Sequence, residues 1–328
     1  MSYKDCIHRI MNFSGLISLA HFVNRKKPKI LMFHRISDGH NKLGIDQELF
    51  EAQIGYIAKN FDVISMKQMV DELRSGTIHN NAVAITFDDG HADFYKLAWP
   101  MLKRYKLSAT LYITTGFIDQ TCWLWPDALR YMVENTKEDN CRIDDGSNKK
   151  VELAFPDSAW SRLADYALSL GVEQRQRFLE KLSEKLNVPL PDYPVEPYFG
   201  CSWSQIREMV AEGLDVGSHS ITHPILSALS KADLEKELYG SGKKIEKELG
   251  FFPEGICYPN GAPQDISEQV IESAKILGYQ YGLMAYPCGV NSDRLMTLGR
   301  YPAPTSFNLF QRMINGISRV DMPKEMNR

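Results

Sequence analysis

Two short stretches hold the residues of this chain whose types and spacing could do chemistry. Residues 84–90 read Ala-Ile-Thr-Phe-Asp-Asp-Gly, and residues 217–223 read Gly-Ser-His-Ser-Ile-Thr-His. The first sets two adjacent carboxylates, Asp88 and Asp89, at the end of the apolar run Val83–Phe87. The second sets two imidazoles, His219 and His223, just after the apolar run Leu214–Val216. One carboxylate with two imidazoles is a three-ligand set for a zinc-like ion that leaves a coordination position open. The spare carboxylate beside it is free to take a proton, and the combination is the equipment of metal-assisted amide or ester hydrolysis. Each half alone is a weak signal, because Asp-Asp-Gly is good turn chemistry and pairs of histidines arise by chance. Together they point to a site.

The elements that must position these residues follow from hydrophobic patterning. Candidate strands are Ile30–Phe33, Asp62–Ile64, Val83–Phe87, Ala109–Thr114, Leu214–Ser218, Gly255–Tyr258 and Tyr281–Tyr286, with a last one near Met296–Tyr301. Helix-like stretches separate them, the β-α alternation of a parallel sheet or barrel. Ser230 with Asp233 three residues on predicts a helix start, Leu234, Leu238, Ile245 and Leu249 its apolar positions, and Gly250 its end. Ser267 and Gly278 bracket a second helix in the same way. The rhythm breaks at about 120–200, where the polar stretch Lys137–Lys150 precedes helix-like sequence at Ala159–Leu170 and Glu173–Leu186, and the Pro-rich run Pro189–Pro197 ends it. This predicts a largely helical insertion between two barrel strands.

Bulk properties narrow the function classes. The chain has 328 residues, 44% hydrophobic and 24% charged, so a packed core is expected. A net charge of −3 argues against a nucleic-acid partner. The cysteines, Cys6, Cys122, Cys141, Cys201, Cys257 and Cys288, show no paired spacing and suit a reducing compartment. Residues 1–27 form a separate N-terminal segment. Ile7, Ile10, Met11, Leu16, Ile17 and Phe22 line one side of a helix ahead of the basic run Arg25-Lys26-Lys27. It lacks the unbroken apolar core of a signal peptide or a membrane span. Two readings stand, a helix packed on its own domain or a peripheral anchor on an anionic membrane surface. The expected location is cytoplasmic, at most peripheral to the inner membrane.

Thr86-Phe87-Asp88-Asp89-Gly90 and His219-Ser220-Ile221-Thr222-His223 together resemble the polysaccharide deacetylase family (NodB-homology, carbohydrate esterase 4). Tyr258-Pro259-Asn260-Gly261 resembles the family's Tyr-Pro-x-Gly loop, and Ile30–Arg35 and Trp203–Ser230 also read like it. The resemblance implies an α/β fold, a distorted (β/α)7 barrel over residues 28–320 with the insertion at about 120–200. It implies a divalent metal, zinc before cobalt, nickel or iron, on Asp89, His219 and His223, with Asp88 as catalytic base. It also implies an oxyanion and substrate loop of Tyr258, Pro259 and Gly261, the Tyr258 N–H donating to the developing charge. Two departures stand out. The family arginine that pairs with the base is missing from Gly255-Ile256-Cys257-Tyr258, and the histidine of the last motif is missing from Leu298-Gly299-Arg300-Tyr301. Arg300 is the candidate replacement for the arginine, and His34, after the first strand, the candidate general acid. Trp123 and Trp125, heading the insertion, are a candidate sugar platform or hydrophobic anchors for it. His91 is expected on the rim or opening the next helix.

The activity implied is a metal-dependent hydrolase removing an N-acetyl or similar acyl group from an amino sugar of a glycan or glycan precursor, including nucleotide- or lipid-linked intermediates of surface polysaccharide assembly. The alternatives are a hydrolase of a non-sugar C–N bond on the same fold, or a sugar-binding relative without catalysis.

Overall fold

The computed structural model describes residues 15–40, 43–138, 140–144, 150–154 and 159–317. Eight parallel strands form the main sheet: β1 (Lys29–Phe33), β2 (Asp62–Val63), β3 (Ala82–Phe87), β4 (Thr110–Ile113), β5 (Asp215–Ser218), β6 (Gly255–Cys257), β7 (Tyr281–Leu283) and β8 (Tyr301–Pro302). Their order is β7-β6-β5-β4-β3-β1-β8, and the short β2 pairs with the start of β3. A bridge joins Leu283 to Leu298, and Tyr301 pairs with Leu31, so the segment 298–302 runs between β7 and β1. The sheet thereby curls into a distorted barrel. The central strands β1 and β3 are buried along their whole length. A parallel strand covered on both faces needs apolar side chains at every position, which is why these read as unbroken runs.

Register lines up the strand ends. Phe33 pairs with Phe87, Ile113 with Ser218, Ser218 with Ile256, and Cys257 with Leu283. His34, Asp88, His219 and Tyr258 are the residues next past β1, β3, β5 and β6, so they emerge at one mouth. Behind them Phe33, Phe50, Phe87 and Phe94 pack with ring centroids 4.8–5.8 Å apart and anchor the β1 and β3 ends.

The two helices with clear end signals form as read. Ser230 caps Lys231–Leu249 by accepting from the Asp233 N–H, and Gly250 ends it in the left-handed region. Ser267 caps Glu268–Ile276. The last strand is displaced from the expected position: Met296 lies in the helical turn Ser292–Thr297, and β8 begins at Tyr301.

The insertion contributes helices Trp125–Asn135, Ala159–Leu168 and Val172–Leu186, together with an antiparallel pair, Asn140–Asp144 on Lys150–Ala154. Leu129, Met132, Leu163, Phe178 and Leu182 give it a core cluster of its own. In the N-terminal segment the described helix is Leu16–Asn24, and Ile7, Ile10 and Met11 lie outside the described residues.

Candidate active site

The turn after β3 places the two carboxylates differently. Asp88 continues the strand, its N–H donating to the Phe33 carbonyl at 3.1 Å. Asp89 then turns into the left-handed region at φ 72°, followed by Gly90 at φ 91°. A Cβ on Gly90 would stand 2.9 Å from Ile118 Cδ1, so glycine is required there by both backbone and space. Asp89, Ser220, His223 and Asn260 are four of the eight non-glycine residues with positive φ, and all four belong to the turns at this mouth. Such backbone costs of order 1–3 kcal/mol per residue and collects where a site demands it.

Asp89, His219 and His223 converge. Asp89 Oδ1 stands 3.6 Å from His219 Nε2 and 3.7 Å from His223 Nε2, all three residues being buried. His219 Nδ1 lies 2.7 Å from the Cys257 carbonyl, which can only accept. That fixes the tautomer, with the proton on Nδ1 and the Nε2 lone pair turned toward Asp89. Burial lowers the His223 pKa to about 4, so this ring is neutral near pH 7. His223 Nδ1 is buried without a partner, and one carboxylate oxygen and two imidazole nitrogens converge within 4.8 Å of one another. The donor set therefore fits a divalent metal, with borderline nitrogen and hard oxygen ligands as zinc prefers.

Asp88 is held by a different partner. Arg300, with no solvent exposure, donates from Nη1 to Asp88 Oδ1 and from Nη2 to Oδ2, both at 2.6 Å. Its remaining donors reach the Met284 carbonyl and Thr86 Oγ1, and Nη2 also lies 2.9 Å from Cys257 Sγ. Burial alone would raise the Asp88 pKa, but the charge and hydrogen bonds of Arg300 override it and hold the carboxyl below the ordinary carboxylate range. Asp88 is thus an ionised base fixed by a fork-on-fork pair. Arg300 comes from the segment just ahead of β8, two strands along the sheet from β3, and is the cation that pairs with Asp88. Cys257 stands beside this pair, its Sγ 3.5 Å from Asp88 Oδ2. Burial pushes its thiol pKa well up, and with Asp88 and His219 it forms a second buried group of metal-ligating atoms beside the first. His34 Nε2 lies 3.7 Å from Asp88 Oδ2 with its side chain 47% exposed, on the mouth side of the base.

The loop after β6 corrects the expectation for Tyr258. Its backbone N–H donates to the Leu283 carbonyl at 3.1 Å as part of the β6–β7 ladder, and its hydroxyl to the Met296 carbonyl. Neither donor is left for a substrate. Pro259 has no N–H, and Gly261 donates back to the Pro259 carbonyl. Asn260 is the residue that faces the cavity with donors to spare. Its buried Nδ2 has no partner, and among the described residues no acceptor takes its backbone N–H. Gly261 holds the turn, since a Cβ there would meet the Ala285 nitrogen at 2.5 Å.

His34, Asp88, Asp89, His219, His223, Tyr258, Asn260 and Arg300 line one cavity of about 610 Å3. The insertion supplies its other wall through Pro126, Asp127, Arg130, Trp160, Asp165 and Leu168. Trp123 and Trp125 are not in that wall. Trp123 donates to the Pro191 carbonyl and packs against Tyr131 and Tyr198, and the Arg175 guanidinium lies 4.9 Å over the Trp125 ring. Both line a separate 900 Å3 cavity beside the His223 loop, and the tryptophan that lines the first cavity is Trp160, with the Arg130 guanidinium 4.4 Å over its ring. His91 is not at the rim but opens the next helix, its carbonyl accepting from the Phe94 N–H. It is 2% exposed, with Nε2 2.8 Å from Asp127 Oδ2 and Nδ1 3.8 Å from Asp89 Oδ2. Arg35 joins Asp93 at 2.9 Å and approaches Asp127 at 3.9 Å. Through these contacts the insertion is fastened to the turn that carries Asp89. Nothing in one-dimensional spacing signals the His91–Asp127 pair, because its members sit on different units of the fold.

Comparison with known proteins agrees with this geometry. A family model described as polysaccharide deacetylase matches residues 75–139 and 145–282. Bacillus subtilis YxkH is 21% identical over 282 residues, covering 84% of this chain and 71% of that protein. The poly-beta-1,6-N-acetyl-D-glucosamine N-deacetylase of Staphylococcus aureus is 28% identical over 122 residues, only 37% of this chain and 40% of its own length. Among solved structures, the Streptococcus pyogenes deacetylase PplD in complex with acetate superposes with a TM-score of 0.59 at 20% identity, covering 88% of this chain and 98% of that one. IcaB from Ammonifex degensii gives the same TM-score at 17% identity, covering 88% and 97%. At such identities the likeness establishes the barrel fold. With the family model spanning more than half of its length, this chain belongs to the polysaccharide deacetylase family.

Proposed function

We propose that the protein is a metal-dependent hydrolase that removes an N-acetyl or closely related acyl group from an amino sugar of a glycan or glycan precursor in surface polysaccharide assembly. The observation that carries this reading is the adjacency of two differently prepared carboxylates. Asp89 faces two imidazole nitrogens, and Asp88 is held ionised by Arg300 beside it. Asp89, His219 and His223 would hold the metal, zinc by preference. When bound, such an ion polarises the scissile carbonyl and makes water nucleophilic near neutral pH.

The chain's own residues do the rest. Asp88 accepts the proton of the attacking water, and Arg300 keeps its two oxygens oriented while doing so. The Asn260 N–H and Nδ2 donate to the carbonyl oxygen as charge develops there. His34, on the solvent side of Asp88, gives a proton to the leaving amine. The cavity volume and the indole of Trp160 suit a sugar ring with its acyl group turned inward. Cys122, Cys201, Cys257 and Cys288 are free thiols, which supports a reducing, cytoplasmic location. The carrier, nucleotide or lipid, belongs to the same proposal.

The test is acetate or formate release from N-acylated glucosamine oligosaccharides and from nucleotide-linked N-acetyl amino sugars, with Asp88→Asn as control. Release by the wild type and at least a thousandfold loss in the variant is the expected outcome. Metal-loaded protein that releases no acyl group from any of these would overturn the reading.

A further inference from the structure

The helix Leu16–Asn24 presents opposite faces to the domain and to solvent. Ile17 is buried, His21 Nδ1 meets Asn315 Oδ1 at 2.9 Å, and Asn24 donates to the Asn315 carbonyl, so one face is packed. The other face carries Leu16, Leu19, Phe22 and Val23, which are 46%, 59%, 59% and 64% exposed. They account for four of the nine large apolar side chains exposed among the described residues. Single exposed apolar residues need no explanation, but four on one face of a nine-residue helix do. Immediately beyond it come Arg25, whose guanidinium lies 3.8 Å over the Phe22 ring, and the exposed Lys26 and Lys27.

We infer that this face docks on an anionic lipid surface, with the catalytic mouth turned away from the bilayer. Apolar side chains rimmed by cations match the acyl boundary and phosphate layer of such a surface. A second copy of the chain fits less well. A helix about 14 Å long cannot supply the ~800 Å2 per partner of a stable dimer, and among the described residues a second copy offers no negative charge that the structure places against Arg25, Lys26 and Lys27. No helix among the described residues is long and apolar enough to cross a membrane, so the contact is peripheral.

Orientation follows from β1. The docking helix leads into Lys29 at the start of that strand, and the Asn81 N–H, just ahead of β3, donates to the Arg25 carbonyl. His34 lies past the other end of β1. The strand between them spans about 16 Å at roughly 3.3 Å per residue. Docked this way, the mouth faces the aqueous side, toward glycan that extends beyond the headgroup layer. The inference rests on the helix alone and stands or falls independently of the hydrolase reading.

The full chain is sedimented with vesicles of phosphatidylcholine alone and of phosphatidylcholine with phosphatidylglycerol, at low and high salt. Expected is binding to the anionic vesicles, weakened by salt and at least tenfold weaker for Lys26→Glu/Lys27→Glu. Binding should be abolished in Leu19→Glu/Phe22→Glu, whose circular dichroism and melting temperature stay unchanged because these side chains are exposed. Activity on soluble substrate should be the same for bound and free protein. No sedimentation with either vesicle, binding that both variants retain, or a dimer dissolved by Leu19→Glu/Phe22→Glu in light scattering would each overturn the inference.

Discussion

Replacing Arg300 by methionine should expose how Asp88 is kept ionised. In the wild type the carboxylate is 2% exposed and receives two 2.6 Å hydrogen bonds from a guanidinium with no exposure. Methionine fills much of the space but removes every donor, leaving a buried carboxyl with its burial cost uncompensated. Breaking a buried pair by deleting one partner costs about 3–5 kcal/mol. The protein also escapes part of that cost by protonating Asp88. With Arg300 gone, burial, which raises the pKa, is opposed only by the weaker influence of His219 and His34. A folded pKa depressed in the wild type gives stability that is present above the ordinary carboxylate value and lost in acid. In Arg300→Met that acid-side loss should disappear. The acid limb of kcat/KM should shift to higher pH, so that activity lost at neutral pH is partly recovered in alkali. The assay is a pH–rate profile paired with urea unfolding, run on Arg300→Met, Asp88→Asn and the double variant. If the pair is the source of the cost, the double variant should be more stable than Arg300→Met alone. A destabilisation below about 1 kcal/mol with an unmoved acid limb would refute the assignment of Arg300 as partner of the base.

Three further outcomes follow from the same geometry. His34→Ala should lower kcat by about 10²–10⁴, the usual worth of a general acid, while melting stays nearly unchanged because the side chain is half-exposed; undiminished turnover would remove His34 from the mechanism. Asn260→Ala should lower kcat with little change in KM, by roughly 10²-fold for one oxyanion donor, whereas Tyr258→Phe should leave kcat nearly intact because the hydroxyl serves only Met296. In metal-free protein, the folded His223 pKa of about 4 against 6.5 unfolded means that the unfolded chain binds more protons between those values. About 3 kcal/mol of stability should therefore be lost as pH falls from 6.5 to 4, and urea unfolding should show that slope flattened in His223→Gln.

Much of the site was legible because its residues follow directly on apolar runs. In a parallel sheet those runs end side by side, so Asp88, His219 and His34 had to share a mouth once the strands were recognised. Arg300 was legible for the same reason, being close to the last strand and the nearest cation able to serve Asp88. The oxyanion donor was not, because choosing between Tyr258 and Asn260 depends on where the β6–β7 ladder stops, and one residue of register decides it. The tryptophans were misplaced for another reason. An indole at the head of an insertion packs inward or outward according to tertiary contacts, and here Tyr131, Tyr198 and Arg175 took Trp123 and Trp125. Trp160, on the cavity wall, lies in a helix whose period says only that one face is buried. His91 and Asp127 meet across 36 residues of chain. Such a pair has no periodic signature.

The most direct test of the central claim is to strip the protein of metal and titrate zinc back while following acetate release from an N-acetylated glucosamine oligosaccharide. Activity should be absent after stripping, rise linearly with added zinc and saturate at one ion per chain, with a His219→Ala/His223→Ala variant silent throughout. Turnover that survives stripping, or zinc-dependent turnover that the double variant retains, would contradict the assignment of Asp89, His219 and His223 as the metal site of a deacylating enzyme.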